Sequence, residues 1–324
     1  MKRFLLFIGF LIITAALATG GAAVYVYVQY TSPSNLAQER DIIIPQGTGV
    51  RGIAEIFQRE NIITEPLIFL AGVRVSQLDR SLRAGEYHFP ARVSPKQAAE
   101  ILAFGDTVKR FVTIPEGLRS GEIVDRINLV DGLSGEIADI PADGTLLPET
   151  YQFSFGDTKQ SIIDRMRAAH DEMVKQLWPG RQDGLPFDTI EEAVILASIV
   201  ERETGVAGER ARVAGVFINR LRRDMRLQSD PTVAYALSPD KRLERPLTRK
   251  DWRFESPYNT YVTSGLPPGP ITNPGRDAFY AVLHPAATED LYFVADGTGG
   301  HAFARTLDEH NRNVAKWRRI RDGQ

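Results

Sequence analysis

Two acids stand at the end of an apolar run: Glu201 and Glu203, either side of Arg202, in ILASIVERETG (Ile195–Gly205). Residues Ala193 to Val200 are all apolar or small. A helix with no polar stripe belongs in a core, so the run carries its carboxylates to the edge of a dry interior. Loss of water penalises the charged form of a carboxylate and raises its pKa. A glutamate tuned that way suits a general acid working at neutral pH. At about 100° per residue, Glu203 lies in line with Glu192, Leu196 and Ile199, and Glu201 with Ile190, Val194 and Ala197. Both stripes are apolar, so spacing does not choose between the two acids. The simpler alternative pairs one or both with Arg202, Arg210 or Arg212 at a helix end.

Other chemistries find less support. There are no cysteines, which removes disulfides, thiolate metal sites and a cysteine nucleophile. The five histidines (His88, His170, His284, His301, His310) form no i, i+4 pair and no HExxH, so no metal is expected. No G-x-S-x-G elbow and no phosphate-binding glycine loop occurs, and no cofactor is expected. The net charge of −2 and the lack of a basic run argue against nucleic acid as a partner.

What remains is carboxylate chemistry beside a long loop, SPYNTYVTSGLPPGPITNPG (Ser256–Gly275). A proline-dense loop of that length with aromatic residues reads as functional. Rings offer flat faces to sugars, and amides and acids offer hydrogen bonds to hydroxyls, so the combination suggests a glycan. Glycosidases ordinarily use two carboxylates, and Glu201 and Asp230 are the candidates to partner Glu203. Asp230-Pro231 also reads as a helix start, with Asp230 as N-cap and Pro231 at the first helical position.

The elements that must position these groups follow from patterning. Phe4 to Val28 are 25 uncharged, mostly apolar residues, enough to span a bilayer. Lys2 and Arg3 precede them, which places the N-terminus in the cytoplasm and the remainder outside, with Tyr25, Tyr27 and Tyr30 as an interfacial belt. Ala16-Leu17-Ala18 would fit a signal-peptide cleavage site, but apolar sequence continues beyond it, favouring an uncleaved anchor. Tyr30 to Gln38 reads as a linker. DIIIPQGTGVRGIAEIF, from Asp41, is echoed by FVTIPEGLRSGEIVDRI, from Phe111, 70 residues later. Each copy reads as strand, Pro-x-Gly turn and amphipathic helix. The first unit continues with helix 64–75, strand 85–89 and helix 94–104. After the second copy come a strand near 150, helices 159–177, 190–203 and 209–223, a glycine hairpin in LYFVADGTGGHAFA, and a closing helix 306–321.

ASIVERETGVAGERARVAGVFINRLRRDMRLQSDPTVAYAL, together with the loop and hairpin segments above, closely resembles the MltG/YceG family of membrane-anchored endolytic murein transglycosylases. LPETY (Leu147–Tyr151) stands where that family has an FPDTY-type segment. The resemblance implies an α+β protein with an N-terminal transmembrane helix (1–29), a linker (30–40), a small LysM-like subdomain (41–105) and a larger YceG-like catalytic domain (110–324). It implies a lyase that cleaves the β-1,4 bond between N-acetylmuramic acid and N-acetylglucosamine in peptidoglycan strands and leaves a 1,6-anhydro end. By the same resemblance Glu203 is the catalyst, and Glu201 would help to keep it protonated by like-charge repulsion. Asn219, Gln228, Asp230, Tyr258, Asn259 and Tyr261 are the expected substrate-binding positions. The expected setting is the bacterial cytoplasmic membrane, single-pass, with the catalytic domain outside. Glycan strands and the membrane are the expected partners. Cell-wall synthases are expected beside them, although no residue identifies one. Two alternatives stand against the lyase: a muramidase-type hydrolase, and a non-catalytic peptidoglycan-binding scaffold.

Overall fold

The computed structural model describes residues 2–323. Met1 and Gln324, the ends of the first and last expected segments, lie outside the described residues, as does the Lys2 side chain that was read as flanking the span. The chain forms two compact units. One comprises the described residues up to Arg110 with Gly132–Ser134 and Gln152–Asp157; the other comprises Phe111–Asp131, Gly135–Tyr151 and the chain from Thr158 on. The expected single division near residue 110 is therefore crossed by two short returns.

The first unit begins with α1 (Lys2–Thr31). At 1.5 Å per residue its 30 residues extend about 45 Å, more than the roughly 30 Å of a bilayer's hydrocarbon core. Among the described residues it is the one helix long and apolar enough to cross a membrane. Its far end is built into the unit. Tyr30 and Leu36 are buried in the core that Ile42, Phe57, Phe69 and Phe89 also fill. The segment read as a linker is thus anchored by an aromatic and an aliphatic side chain, and Tyr30 is a core residue rather than part of an interfacial belt. β1 (Arg40–Ile44) pairs antiparallel with β2 (Gly85–Phe89), with Ile42 opposite Tyr87. The sheet packs with α2 (Val50–Arg59), α3 (Pro66–Val75) and α4 (Pro95–Phe104). Pro66 and Pro95 open their helices, where a missing N–H costs nothing. Phe57 meets Phe69 and Phe89 edge-on, with ring centroids 5.2 and 5.5 Å apart.

The second unit is mainly helical. It contains α5 (Ser120–Asn128), α6 (Lys159–Leu177), α7 (Ile190–Glu203) and α8 (Arg210–Arg222); β3 (Arg110–Thr113) pairs with β4 (Thr150–Phe153). α9 (Asp230–Leu237), α10 (Arg276–Leu283), the hairpin β5 (Tyr292–Ala295) and β6 (His301–Ala304), and α11 (Leu307–Asp322) complete it. The repeat seen in the sequence is a repeat in structure. Gly47 and Gly117, 70 residues apart, both take positive φ (79° and 74°) in the turn between strand and helix, a conformation that favours glycine.

α7 is the axis of this unit. Every residue from Ala193 to Val200 is buried, against Phe217 of α8, Phe279 and Val282 of α10, and Met173 of α6. Its start is fixed by a capping box, in which Thr189 Oγ1 accepts from the Glu192 N–H and Glu192 accepts from the Thr189 N–H. Ser198, the hydroxyl within the buried run, accepts the Ile271 N–H at 3.0 Å. That contact ties the Ser256–Gly275 loop to the helix. Asn273 ties the same loop further: its Oδ1 accepts the Leu146 N–H, and its Nδ2 donates to Leu118 O and Ser120 Oγ. The loop is thus held by buried polar bonds that an isolated peptide would exchange with water. Asn273→Ala leaves the Leu146 N–H buried without its acceptor, while Leu118 O keeps the main-chain N–H of residue 273, and is expected to destabilise the protein by about 1–3 kcal/mol. Chemical denaturation of the detergent-solubilised chain would show a lowered midpoint; an unchanged midpoint would contradict the role given to this loop.

Candidate active site

The last turn of α7 presents its two acids to different surroundings. Glu203 opens into a cavity of about 410 Å³ lined also by Arg220, Gln228, Asp230, Tyr261, Tyr292 and His310. Its Oε1 accepts a 2.5 Å hydrogen bond from Ser229 Oγ. Burial pushes the Glu203 pKa up to about 7; the Ser229 bond pulls against that, Asp230 adds to it, and His301 and Arg220 oppose it. Glu201 turns elsewhere. Its Oε2 accepts the Gly275 N–H at 2.8 Å, and its Oε1 lies 3.7 Å from the Arg210 guanidinium. Burial raises the Glu201 pKa as well, with the Gly275 N–H pulling it down. A Cβ at Gly275 would overlap the Glu116 carboxyl, which would have to move to admit it.

Asp230 is held open to the cavity rather than spent on a helix end. Its Oδ1 accepts from Tyr261 Oη at 2.7 Å and from Trp252 Nε1 at 3.0 Å. The two donor rings stack with centroids 5.9 Å apart, so an aromatic pair fixes the carboxylate. Burial first and Asp230 second raise the Tyr261 pKa, which keeps its hydroxyl a donor. The residue in the N-cap position of α9 is Ser229, with Pro231 in the first turn. The cap is therefore one residue earlier than expected: Asp230 is already helical, and Ser229 uses its hydroxyl on Glu203 instead of on the helix.

A buried arginine forms the floor. Arg220 donates from Nε to Leu291 O at 2.7 Å and from Nη1 to Leu227 O at 2.8 Å. It also lies over the Tyr292 ring, 5.1 Å from the centroid. Burial lowers its pKa. His310 of α11 stacks on the other aromatic neighbour, Tyr292, at 5.1 Å, and its Nδ1 is buried without a hydrogen-bond partner. Burial, and then Arg220, depress the His310 pKa, holding it neutral at physiological pH. His301 is fixed by Glu209, with Nδ1 2.7 Å from Oε2. Among the described residues no cluster of three or more His, Cys, Asp or Glu side chains is arranged to hold a metal ion.

The sequence model of the YceG-like family matches residues 42–316. The chain belongs to the YceG-like family. It is 31% identical over 309 residues to a Bacillus subtilis (strain 168) protein named endolytic murein transglycosylase, covering 86% of this chain and 84% of that one. A Streptococcus pneumoniae serotype 2 protein of the same name is 29% identical over 359 residues; the match covers 95% of this chain but 64% of the longer relative. Among solved structures, a YceG-like protein from Listeria monocytogenes matches with a TM-score of 0.55 at 30% identity, over 85% of this chain and 98% of that one.

On this YceG-like scaffold the expected site residues separate into two groups. Glu203, Gln228, Asp230 and Tyr261 line one cavity. Asn219, Tyr258 and Asn259 do not. Asn219 spends its Nδ2 on Thr288 O and Asp290 O, at 2.8 and 3.1 Å. Asn259 is fully buried and donates to Phe254 O and Trp252 O, which organises the loop that carries Tyr261. Tyr258 packs on Tyr235, centroids 4.8 Å apart, beside Gly269. The charge expected to keep Glu203 protonated is also reassigned. The acid that raises its pKa is Asp230, because Glu201 faces Gly275 and Arg210. Ser229, Arg220, Tyr292, Trp252 and His310 were not among the expected positions.

The raised pKa of Glu203 has a consequence for stability. Unfolded, the residue would lose its proton near its ordinary value of 4.5, whereas folded it holds it up to about 7. The folded state therefore binds the extra proton. Stability from this group is fully present below about pH 4.5 and is lost as pH rises through about 7. Glu203→Gln removes the dependence. It should unfold at a higher temperature than wild type at pH 8, by up to about 3 kcal/mol of stability, with the gap closing below pH 5. Thermal scans across that range check this; a gap independent of pH would contradict it.

Proposed function

We propose that this chain is an endolytic peptidoglycan lytic transglycosylase in which Glu203 is the proton donor and acceptor. The observation that carries the reading is a carboxyl with pKa near 7, hydrogen-bonded to Ser229, in a cavity of saccharide dimensions with an aromatic-clamped second acid. The names of the curated relatives agree with it.

Glu203, protonated at neutral pH, gives its proton to the oxygen joining N-acetylmuramic acid to N-acetylglucosamine. The bond from that oxygen to the muramic anomeric carbon breaks, and positive charge develops on the sugar ring. The carboxylate left behind is stabilised by the Ser229 hydroxyl, His301 and Arg220, the groups that pull its pKa down. It then takes the proton of the muramic 6-hydroxyl as that oxygen attacks the anomeric carbon. The proton borrowed is returned, a 1,6-anhydro ring closes, and no water is consumed. One acid–base residue contributes roughly 10²–10⁴-fold. Asp230, fixed by Tyr261 and Trp252, places a negative charge where it would favour the developing cation. The same acid supports a second reading, a hydrolase in which Asp230 directs water, because both carboxyls line one cavity. Glu201 does not serve that second reading, since it lies outside the cavity's lining.

The N-terminal helix would hold the enzyme in the cytoplasmic membrane with the remainder outside, within reach of nascent strands. Termination or trimming of those strands is the role that such a tether favours, alongside the synthases that make them.

Glu203→Gln is expected to abolish cleavage of isolated strands. Mass spectrometry of wild-type digests should show muramic ends lighter by one water than hydrolytic ends. Reducing ends of full mass would favour the hydrolase. Asp230→Asn removes the charge that raises the Glu203 pKa, so the alkaline fall of kcat/KM, centred near pH 7 in wild type, should move to lower pH. A limb that stayed in place would show that Asp230 does not act on Glu203.

A further inference from the structure

A second cavity in the same unit, about 200 Å³ in volume, is lined by Arg119, Arg202 and Arg242. Its walls come from the same two helix ends as the catalytic cavity. Arg202 precedes Glu203 on α7, and Pro231, also lining it, follows Asp230 on α9. Adjacent helical residues lie about 100° apart around the axis, so α7 presents its acid to one cavity and its arginine to the next.

Two of these arginines, Arg202 and Arg242, are short of partners. Elsewhere in the unit Arg210, Arg212 and Arg245 each contact a carboxylate within 3.3 Å. Among the described residues Arg202 makes one long contact, from Nη1 to Gly117 O at 3.4 Å, and neither Arg202 nor Arg242 forms an ion pair. Arg119 is 7% exposed. It is fixed by donation from Nη1 to Ser238 O and Lys241 O, and by the Tyr235 ring 4.9 Å away. Burial pulls its pKa down, Arg202 adds to that, and Glu122 and Asp143 oppose it. Glu122 is the one acid lining the cavity, and its Oε2 already accepts the Arg119 N–H at 3.0 Å. Three arginines, two of them without an ion pair, thus line a cavity that holds one partly committed carboxylate. Such a concavity recognises a planar anion, since each guanidinium can offer paired N–H donors to a carboxylate.

We propose that this cavity is a subsite for a carboxylate of the peptide stems borne by peptidoglycan strands. The proposal rests on the transglycosylase reading for its choice of substrate. The stem hangs from the muramic sugar whose bond Glu203 would cut, and the arginine cavity begins one residue from that acid. Engagement of the stem would then hold a muramic residue, rather than its neighbour, against the proton donor.

The test uses the full chain in detergent, with strands carrying stems and strands stripped of them by an amidase. Arg202→Ala and Arg242→Ala should each lower the ratio of kcat/KM on stem-bearing strands to that on stripped strands by about tenfold, the scale of one charge-assisted hydrogen bond. A ratio equal to that of wild type overturns the subsite. A second measurement does not depend on turnover: binding of a soluble stem tetrapeptide and of its C-terminal amide to the Glu203→Gln protein. Preference for the free carboxylate, lost when Arg242→Ala is added, supports the subsite even if wild type cuts neither strand, a result that would instead retire the lyase reading. Equal binding of acid and amide overturns the subsite even where cleavage is normal.

Discussion

The second unit depends on one constraint: α7 is dry on every side. A helix surrounded by Phe217, Phe279, Val282 and Met173 presents one polar side chain within its buried run, Ser198, and that is committed to the Ile271 N–H, so its remaining chemistry is confined to its ends. At the first end a capping box satisfies the opening N–H groups. At the other, two carboxyls must be accommodated where the core stops. Each needs its own partner to be tolerated, and the unit supplies them from distant stretches of chain. Ser229 serves Glu203, and the Gly275 N–H with Arg210 serves Glu201. The proline-rich loop and the start of α9 are therefore as much part of the site as α7 itself.

The same neighbourhood shows how two chemically identical side chains acquire different work. Both acids have raised pKa values from burial. Glu201 accepts a backbone N–H and sits in a network with Arg210, Glu116 and Asp277, a structural arrangement that closes the loop onto the helix. Glu203 has a hydroxyl partner and an open cavity. Only the second can exchange a proton with something that enters from outside. Asp230 is kept beside it by an aromatic pair, so a second carboxyl is fixed next to the one that holds its proton.

Much of this was legible in the chain before any fold was known. α6 and α7 begin and end where hydrophobic periodicity placed them, because each carries a long apolar face. The strand, turn and helix repeat was legible because its turn demands glycine at both copies. What the sequence did not reveal was decided by contacts far apart in the chain. The choice between Glu201 and Glu203 turns on partners 26 and 74 residues away. Asn219 and Asn259 have the right chemistry for a glycan but spend it on backbone carbonyls, a commitment invisible to composition. Nothing in the sequence sets Arg220 apart from the other arginines of α8, whereas in the fold it is buried and donates to the carbonyls of Leu227 and Leu291. α10 is short and follows a loop dense in proline and glycine, which hid its helical pattern.

One feature of the first unit bears on how such a protein would work at a surface. Tyr30 closes against Gly72, where any side chain would collide with its ring, and helix α1 continues unbroken to Thr31. With the apolar stretch seated in a bilayer, the attached unit would ride on a stiff stalk instead of a leash. Its height above the lipid would be set by helical rise rather than by the statistics of a flexible chain. Lengthening α1 by one turn would lift that unit by about 5.4 Å, so its reach into the wall is written in the register of a single helix.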